Sequence, residues 1–486
     1  MLRKIRIFLA VLFFLGVTLM FLDVTGVLHL YLGWMAKMQF LQAVLACNVV
    51  VVVGLLLLTL LFGRVYCSVI CPLGVMQDCF SWLGGKVWKH RFHYTKAHNW
   101  LRYIVLALFV VLMVLGLNAV AVLVAPYAAY GRIASSLFQP VYLWINNLLA
   151  TAAAHFDSYA FYSVDVWMKS GVALIVATVT FVLIGLLSFR WGRLWCNTIC
   201  PVGSVLGLVS RFSLFKPVID SEKCKGCGMC GKKCKAMCID MEHHQIDASR
   251  CVACMDCLEN CKSNAIKYKF VGCAKQETKE CDSSRRKFVV TTAAVTAGLA
   301  VSAQEHNVDG GLAVIEDKQV PKRNQPLKPA GSNGVKNFSK HCTSCQLCVS
   351  ECPNQVLRPS TDLQTLLQPE MSFERGYCRP ECTRCSDVCP SGAIKPITVA
   401  EKSSISIGYA VVVKQNCLAA KGESCGNCAA KCPAGAIKMV SDPATGHTIP
   451  TVNENRCIGC GKCEYLCPVR PFSAIYVEGR EEHIQI

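Results

Sequence analysis

Histidine is scarce in this chain, 11 residues in 486, and it is sparse where cysteine is dense. That shortage argues against zinc, whose sites pair two Cys-x2-Cys elements far apart in sequence or add histidine ligands. No nucleophile–base pair and no phosphate-cradling loop stands out, so bond-making chemistry by side chains is not visible. Acidic residues are also few, 32 against 50 lysines and arginines. Through the first 215 residues charge of either sign is thin, and the 53% hydrophobic fraction is concentrated there.

Cysteine, by contrast, is abundant: 33 residues, of which 24 fall into six quartets. They are Cys224, Cys227, Cys230 and Cys234; Cys251, Cys254, Cys257 and Cys261; Cys342, Cys345, Cys348 and Cys352; Cys378, Cys382, Cys385 and Cys389; Cys417, Cys425, Cys428 and Cys432; and Cys457, Cys460, Cys463 and Cys467. The repeated Cys-x2-Cys-x3-Cys ending is the spacing with which bacterial ferredoxins hold 4Fe-4S clusters. Disulfide scaffolds belong to short secreted chains and do not require this repeat. Six 4Fe-4S clusters are therefore expected, and the protein reads as an electron wire. In two-cluster ferredoxins the fourth cysteine of one quartet ligates the partner's cluster. The first pair should accordingly use Cys224, Cys227, Cys230 with Cys261, and Cys251, Cys254, Cys257 with Cys234, with short strands around Ile239 and Ile266. Among the last four quartets a nested pairing, first with fourth and second with third, is expected, and spacing leaves adjacent pairing open.

The net charge of +18 does not point to nucleic acid. Each oxidised cluster with four thiolates carries about two negative charges, which offsets much of the excess. Lys225, Lys232, Lys233, Lys235 and Lys262 lie among the ligands. They either raise cluster potentials and dock an acidic partner, or are plain solvated lysines. Lys235 and Lys262 also stand where proline usually follows the fourth cysteine.

Four apolar runs, Ile7 to Tyr31, Met38 to Phe62, Tyr103 to Ala125 and Ser170 to Phe189, reach the roughly 20 residues that span a bilayer. Basic residues gather before the first run (Arg3, Lys4, Arg6), between the second and third (Lys86, Lys89, Arg91, Lys96, Arg102) and after the fourth (Arg190, Arg193, Arg211, Lys216). By the positive-inside rule all of these are cytoplasmic. The outer loop's Leu137 to Ala153 stretch reads as an interfacial helix, with a re-entrant one as the alternative. Asp23 is either a proton acceptor at depth or an ordinary acid near the outer interface.

Within this region the sequence repeats. Gly63-Arg64-Val65-Tyr66-Cys67-Ser68-Val69-Ile70-Cys71-Pro72-Leu73-Gly74 matches Gly192-Arg193-Leu194-Trp195-Cys196-Asn197-Thr198-Ile199-Cys200-Pro201-Val202-Gly203 in ten of twelve columns. Such a parallel repeat builds pseudo-symmetric membrane proteins with a site where the halves meet. Each proline suits the first turn of a new helix, with backbone N–H groups near the cysteine to stabilise negative charge. Cys67, Cys71, Cys196 and Cys200 are thus candidate ligands of one further iron–sulfur centre, or else structural thiols at a tight turn. Cys47, Cys79, Cys238, Cys273 and Cys281 belong to no quartet and read as small buried hydrophobes.

Between the modules, Ser283-Ser284-Arg285-Arg286-Lys287-Phe288 precedes an apolar run to Ala303. This reads as a twin-arginine export signal and a short fifth span, with Val301-Ser302-Ala303 resembling a cleavage site. A linker from about Glu305 to Asn337 follows. The expected architecture is an α-helical membrane domain (1–217, four spans plus the short fifth) with two α+β ferredoxin-like polyferredoxin domains, at 218–270 and 338–486, joined through 271–337.

The membrane half with two Cys-x3-Cys-Pro elements and a trailing two-cluster ferredoxin resembles the NapH family of membrane iron–sulfur proteins. Residues 285–486, with twin arginines and Gly376-Tyr377-Cys378-Arg379-Pro380-Glu381-Cys382, resemble the NapG family of exported four-cluster ferredoxins. The resemblance implies a fusion acting as a quinol dehydrogenase component in the bacterial cytoplasmic membrane. Quinol would be its substrate. Its partners would be membrane lipid, the quinone pool and a redox protein such as a periplasmic terminal reductase. The first module would be cytoplasmic and the C-terminal module periplasmic. An iron–sulfur reductase serving assembly or regulation of another metalloenzyme, and a cytoplasmic ferredoxin relay, remain open alternatives.

Overall fold

A computed structural model gives the fold over residues 1–23, 25–87, 92–157, 161–271, 308–309, 313–314, 317–443 and 446–486. The chain opens with α1 (Leu2–Leu22). It turns at Asp23, whose carboxylate accepts hydrogen bonds from the Thr25 and Leu28 N–H groups at 2.8 Å each. Asp23 therefore holds a turn. Short helices α2 (Leu28–Lys37) and α3 (Phe40–Leu45) lead to α4 (Val49–Phe62), which starts where the Asn48 side chain accepts from the Val51 N–H. Helices α5 (Val65–Val69) and α6 (Pro72–Val87) complete the first half. The second half contains α7 (Asn99–Val114), α8 (Asn118–Ala121), α9 (Pro126–Ile133), α10 (Gln139–Ala154), α11 (Gly171–Trp191), α12 (Leu194–Thr198) and α13 (Pro201–Ser210).

Among the described residues, α1 and α11 are the two unbent helices long and apolar enough to cross a membrane, 21 residues each, or about 30 Å. Four such spans were expected, and the difference has a local cause. Cys47, at φ 51°, divides the second run into α3 and the 14-residue α4. Gly116, at φ 78°, ends the 16-residue α7 within the third run. A left-handed residue cannot continue a right-handed helix. A bend of 83° separates residues 118–124 from 126–154. Beyond it α10 exposes Val141, Trp144, Ile145 and Leu148, the outward apolar face expected of an interfacial helix. Leu15, Val50, Leu108 and Leu186 are likewise exposed on α1, α4, α7 and α11, an apolar surface too extensive for an aqueous monomer. The twin-arginine segment, the short fifth span, Cys273 and Cys281 lie outside the described residues.

The first ferredoxin module pairs β1 (Phe215–Ile219) with β4 (Ile266–Phe270), antiparallel, with Phe215 opposite Phe270 and Ile219 opposite Ile266. Between them lie α14 (Met229–Lys232), the hairpin of β2 (Ile239–Asp240) and β3 (Gln245–Ile246), and α15 (Asp256–Asn260). The ribbon β5 (Val308–Asp309) and β6 (Ala313–Val314) precedes the second module. That module contains α16 (Val335–His341), α17 (Leu347–Ser350) and the antiparallel pairs β7 (Leu357–Pro359) with β8 (Pro369–Met371), β10 (Ile437–Ser441) with β11 (Thr448–Val452), and the long β9 (Ile405–Val412) with β12 (Ile475–Gln485). Residues 317–337, assigned to a linker from sequence, belong to this module's body. Leu327 and Ser332 are buried, and Arg323 donates to the Glu464 carboxylate at 2.6 Å.

The modules meet opposite ends of the helices. At the N-terminal end of α1, Arg3 pairs with Asp256 and Glu259 of the first module. Just past its other end, Arg384 of the second module donates to the Thr25 carbonyl at 2.7 Å. Helix α4 begins beside Ala46, which faces Gly392, and ends where Phe62 accepts from the Tyr268 hydroxyl at 2.8 Å. Arg102 of α7 reaches the Gly203 carbonyl at 2.9 Å and Ser249 of the first module at 3.4 Å. Asn118, just beyond α7, donates to Ser339 and Lys340 of the second module.

Candidate iron–sulfur centres

In four of the quartets the loop that would wrap a cluster has one backbone signature. Both residues flanking the second cysteine have positive φ: Gly226 and Gly228, Ala253 and Met255, Ser344 and Gln346, Gly459 and Gly461. Non-glycine residues accept this conformation at a cost of order 1 kcal/mol or more, and the turn it makes gathers successive N–H groups into an anion-binding nest. Backbone N–H groups also donate to the sulfurs of Cys342, Cys352, Cys389 and Cys432, at 3.4 Å in each case. Such bonds favour thiolate ligands of an anionic cluster.

The cysteines assemble as exchanged sets. In the first module Cys230 has Cys261 and Cys224 as electrostatic neighbours, and Cys257 has Cys254, Cys251 and Cys234 ahead of Cys230 of the other set. This is the exchange expected from the spacing. In the second module Cys348 neighbours Cys342, Cys345 and Cys389, while Cys352, Cys378, Cys382 and Cys385 line one cavity. Cys417, Cys425, Cys428 and Cys467 line another, and Cys460 neighbours Cys432 and Cys457. Pairing is therefore adjacent, first quartet with second and third with fourth, which corrects the nested expectation. Burial pushes the Cys345 and Cys428 thiols up to about 11, so these pockets suit sulfur that is bound to metal more than free thiolate. Among the described residues no three cysteine sulfurs lie within 4.8 Å of one another. A tetrahedral zinc site would bring them to about 3.8 Å. The sets are too wide for a single ion, and their donors fit an iron–sulfur cluster.

The Cys-x3-Cys-Pro repeat forms a further site. Gly63 (φ 71°) and Gly192 (φ 59°) end α4 and α11, and each is followed by a short helix that carries the first cysteine. Pro72 and Pro201 then start α6 and α13. Cys67, Cys71, Cys196 and Cys200 are all buried, and Cys67, Cys71 and Cys196 are all electrostatic neighbours of Cys200. The structure thus brings the four together.

What holds them was not foreseen from sequence. Each repeat's arginine clamps the other repeat's cysteine: Arg64 donates to the Cys196 carbonyl at 3.1 Å and Arg193 to the Cys67 carbonyl at 2.7 Å. Gly74 and Gly203 leave room for this, since a Cβ at either would meet a cysteine carbonyl and an arginine at once. Arg64 also donates to Asn197 at 2.7 Å and lies 3.8 Å from the Cys67 sulfur. The available signal was the arginine column of the repeat, a charge kept in both copies amid apolar sequence.

The two arginines differ in one respect. Arg193 meets Asp78 at 2.9 Å, and Asp78 also binds Arg6 at 2.8 Å and Lys235 at 3.7 Å. Burial pushes the Asp78 carboxyl up, but Arg193, Lys235 and Arg6 together hold it well below the usual carboxylate range. Arg64, also fully buried, sits instead between the repeat cysteines and the first module, donating to the Ser249 carbonyl at 3.1 Å. An anionic centre at the repeat cysteines would balance this cation.

This site abuts the first module. Arg193 N–H donates to the Lys235 carbonyl at 2.9 Å and Asn197 to the Ala236 carbonyl at 3.3 Å, directly after the candidate ligand Cys234. Lys235 bridges Asp78 and Asp256; it is a docking residue. Lys225, Lys232, Lys233 and Lys262 are exposed. On the other side Gly131 of α9 packs against the Cys345 carbonyl and Phe21, Ser135 meets Gln346 at 2.7 Å and Gln139 donates to Ser350 at 3.2 Å. Cys47 and Cys79 are exposed, whereas Cys238 is buried.

Comparison with known proteins agrees with this chemistry. A family model described as a 4Fe-4S binding domain matches residues 47–91 and 171–219, the two repeats, and models of 4Fe-4S dicluster domains match residues 341–394 and 423–470. Among curated relatives, the methylamine utilization ferredoxin-type protein MauM of Methylobacillus flagellatus is 30% identical over 35% of this chain and 75% of its own length. The ferredoxin-type protein NapG of Escherichia coli is 30% identical over 38% of this chain and 81% of its own. The putative electron transport protein YccM of Escherichia coli is 26% identical over 40% of this chain, which spans about half of that relative, 47%. No solved structure matches the chain.

Proposed function

Because the chain belongs to the family of ferredoxin-type 4Fe-4S proteins that includes MauM and NapG, we propose that it carries electrons across a membrane from the quinol pool to a redox partner such as a terminal reductase. In this reading it is a natural fusion of a NapH-like membrane part with a NapG-like part. The clusters, six in the quartets and one more at Cys67, Cys71, Cys196 and Cys200, supply one-electron transfer. The observation that carries the proposal is the placement of two cysteine-rich modules at opposite ends of the same helices, with the repeat cysteines buried between them.

Each step has residues to support it. Cys224, Cys227, Cys230 and Cys261 form the more exposed set of the first module, with Cys227 at the surface. Cys234, Cys251, Cys254 and Cys257 face the repeat through Lys235 and Arg64. Beyond the repeat, Cys342, Cys345, Cys348 and Cys389 lie under α9. Cys378 N–H donates to the Cys460 carbonyl at 2.9 Å, which links the remaining sets in series. Helices α4 and α7, although short, run between the modules as α1 and α11 do, which favours a multi-pass domain with the first module cytoplasmic and the second periplasmic. The twin-arginine segment would then pass the second module outward. To test the reading, membranes containing the protein are given a quinol analogue while cluster signals are followed by EPR. Reduction of the clusters is expected, and its absence would remove the quinol from the proposal.

A further inference from the structure

Cys238 belongs to no quartet, yet it is 1% exposed, and its sulfur lies 3.6 Å from that of Cys234. Cys251 is also among its electrostatic neighbours. Cys234 and Cys251 are both in the set completed by Cys254 and Cys257. Among the described residues no three cysteine sulfurs fall within 4.8 Å of one another, so Cys234 and Cys238 do not share a single-ion site with Cys251. Cys238 is a fifth thiol at a four-thiol site.

The chain contains its own controls. After the fourth cysteine of five quartets the backbone makes the same turn, with positive φ at the third residue: Met237, Asn264, Gln355, Gly392 and Gly435. The next residue is Ala265, Val356, Ala393 or Ala436 in four of these and Cys238 in the fifth. At this position the Val356 and Ala436 N–H groups donate to the sulfurs of Cys352 and Cys432 at 3.4 Å. The turn therefore holds this residue against the ligand sulfur wherever it occurs. Elsewhere an inert side chain fills the place; only beside the membrane repeat is it a thiol.

We propose that Cys238 is a reserve ligand that can replace Cys234 at the cluster held with Cys251, Cys254 and Cys257. The inference rests on the reading that this set holds a 4Fe-4S cluster. In the exchange one iron–sulfur bond to Cys234 breaks and one to Cys238 forms, while the Cys238 thiol proton passes to the freed Cys234 sulfur. No electron is gained or lost and the net charge of the site is unchanged. The contact between the two sulfurs and the four-residue turn that joins them keep the required motion to side-chain rotation.

Iron and acid-labile sulfide per chain, with the EPR spectrum after dithionite reduction, test this on the full chain purified anaerobically in detergent. Cys234→Ala should retain the iron of the unmodified protein, as should Cys238→Ala alone. Cys234→Ala with Cys238→Ala should lose about four iron atoms, one cluster's complement. Loss of that iron by Cys234→Ala alone, equal to the double variant, would overturn the proposal. Cys254→Ala separates this failure from the deeper one. If removing that ligand costs no iron either, the module holds no such cluster and the reading beneath the proposal falls with it.

Discussion

The first and second modules are joined to the same helices by different chemistry. Toward the first module two ion pairs cross: Lys235 with Asp78, a buried carboxylate that also holds Arg193 and Arg6, and the partly exposed Arg3 with Asp256. Toward the second module they are mostly neutral: Ser135 with Gln346, Gln139 with Ser350, Asn118 with Ser339, and the close approach of Gly131 to Cys345. The fourth cysteines mirror this difference, since lysine follows them in the first module and proline in the second. Lys235 stands where a rigid proline would be, and it uses that position to dock. Losing one partner of a buried ion pair costs far more than losing a neutral contact, because a charge is left buried and unpaired. The joint to the first module is therefore the more sensitive of the two to mutation.

The comparison can be broken in stages. The largest effect is expected from Cys67→Ser with Cys196→Ser, which removes the ligands that stand between the joints. Iron content should fall by about four atoms, and electrons delivered to the first module should no longer reach the second, as read by EPR of each module's clusters. An unchanged iron count would leave these cysteines structural. Next is Asp78→Asn, which strips Arg193, Arg6 and Lys235 of their shared anion. A cost of about 3–5 kcal/mol is expected, visible as earlier thermal release of the first module. Because the Asp78 pKa is depressed in the fold, its contribution is in place above the unfolded value of 3.8 and is lost as pH falls below it. The Asn variant should lack that acid dependence.

Smaller effects belong to the joint with the second module. Gly131→Ala puts a methyl group against the Cys345 carbonyl and Phe21, for a cost of about 1–3 kcal/mol. Gln346→Ala removes the Ser135 hydrogen bond at about 1 kcal/mol. If either of these variants loosened the second module as much as Asp78→Asn loosens the first, the contrast between the joints would be wrong. Thermal denaturation followed by cluster absorbance ranks all three.

How far the sequence could be read follows the range of the interactions. Cluster loops are local, so the quartets and the exchange of Cys234 with Cys261 were legible from spacing. Pairing among the last four quartets was not, because the spacing is the same whichever quartets combine. Apolar composition located the long apolar helices α1 and α11 but could not show that Cys47 and Gly116 would adopt left-handed backbone and divide two of the runs. The repeat pointed to Cys67, Cys71, Cys196 and Cys200. It did not reveal that Arg64 and Arg193 would reach across to each other's partner, since that contact joins positions about 130 residues apart. Cys238 looked ordinary because no motif contains it, and its neighbours emerge only when the turn after Cys234 is folded.

The proposal that the two modules lie on opposite sides of a membrane is tested most directly by accessibility. A specific protease site inserted at Glu242, exposed in the first module, is compared with one at Leu363, 79% exposed in the second, in spheroplasts and in inverted vesicles. The site at Leu363 should be cut only from the outer face and the site at Glu242 only from the inner. Cleavage of both from the same side would contradict the transmembrane path.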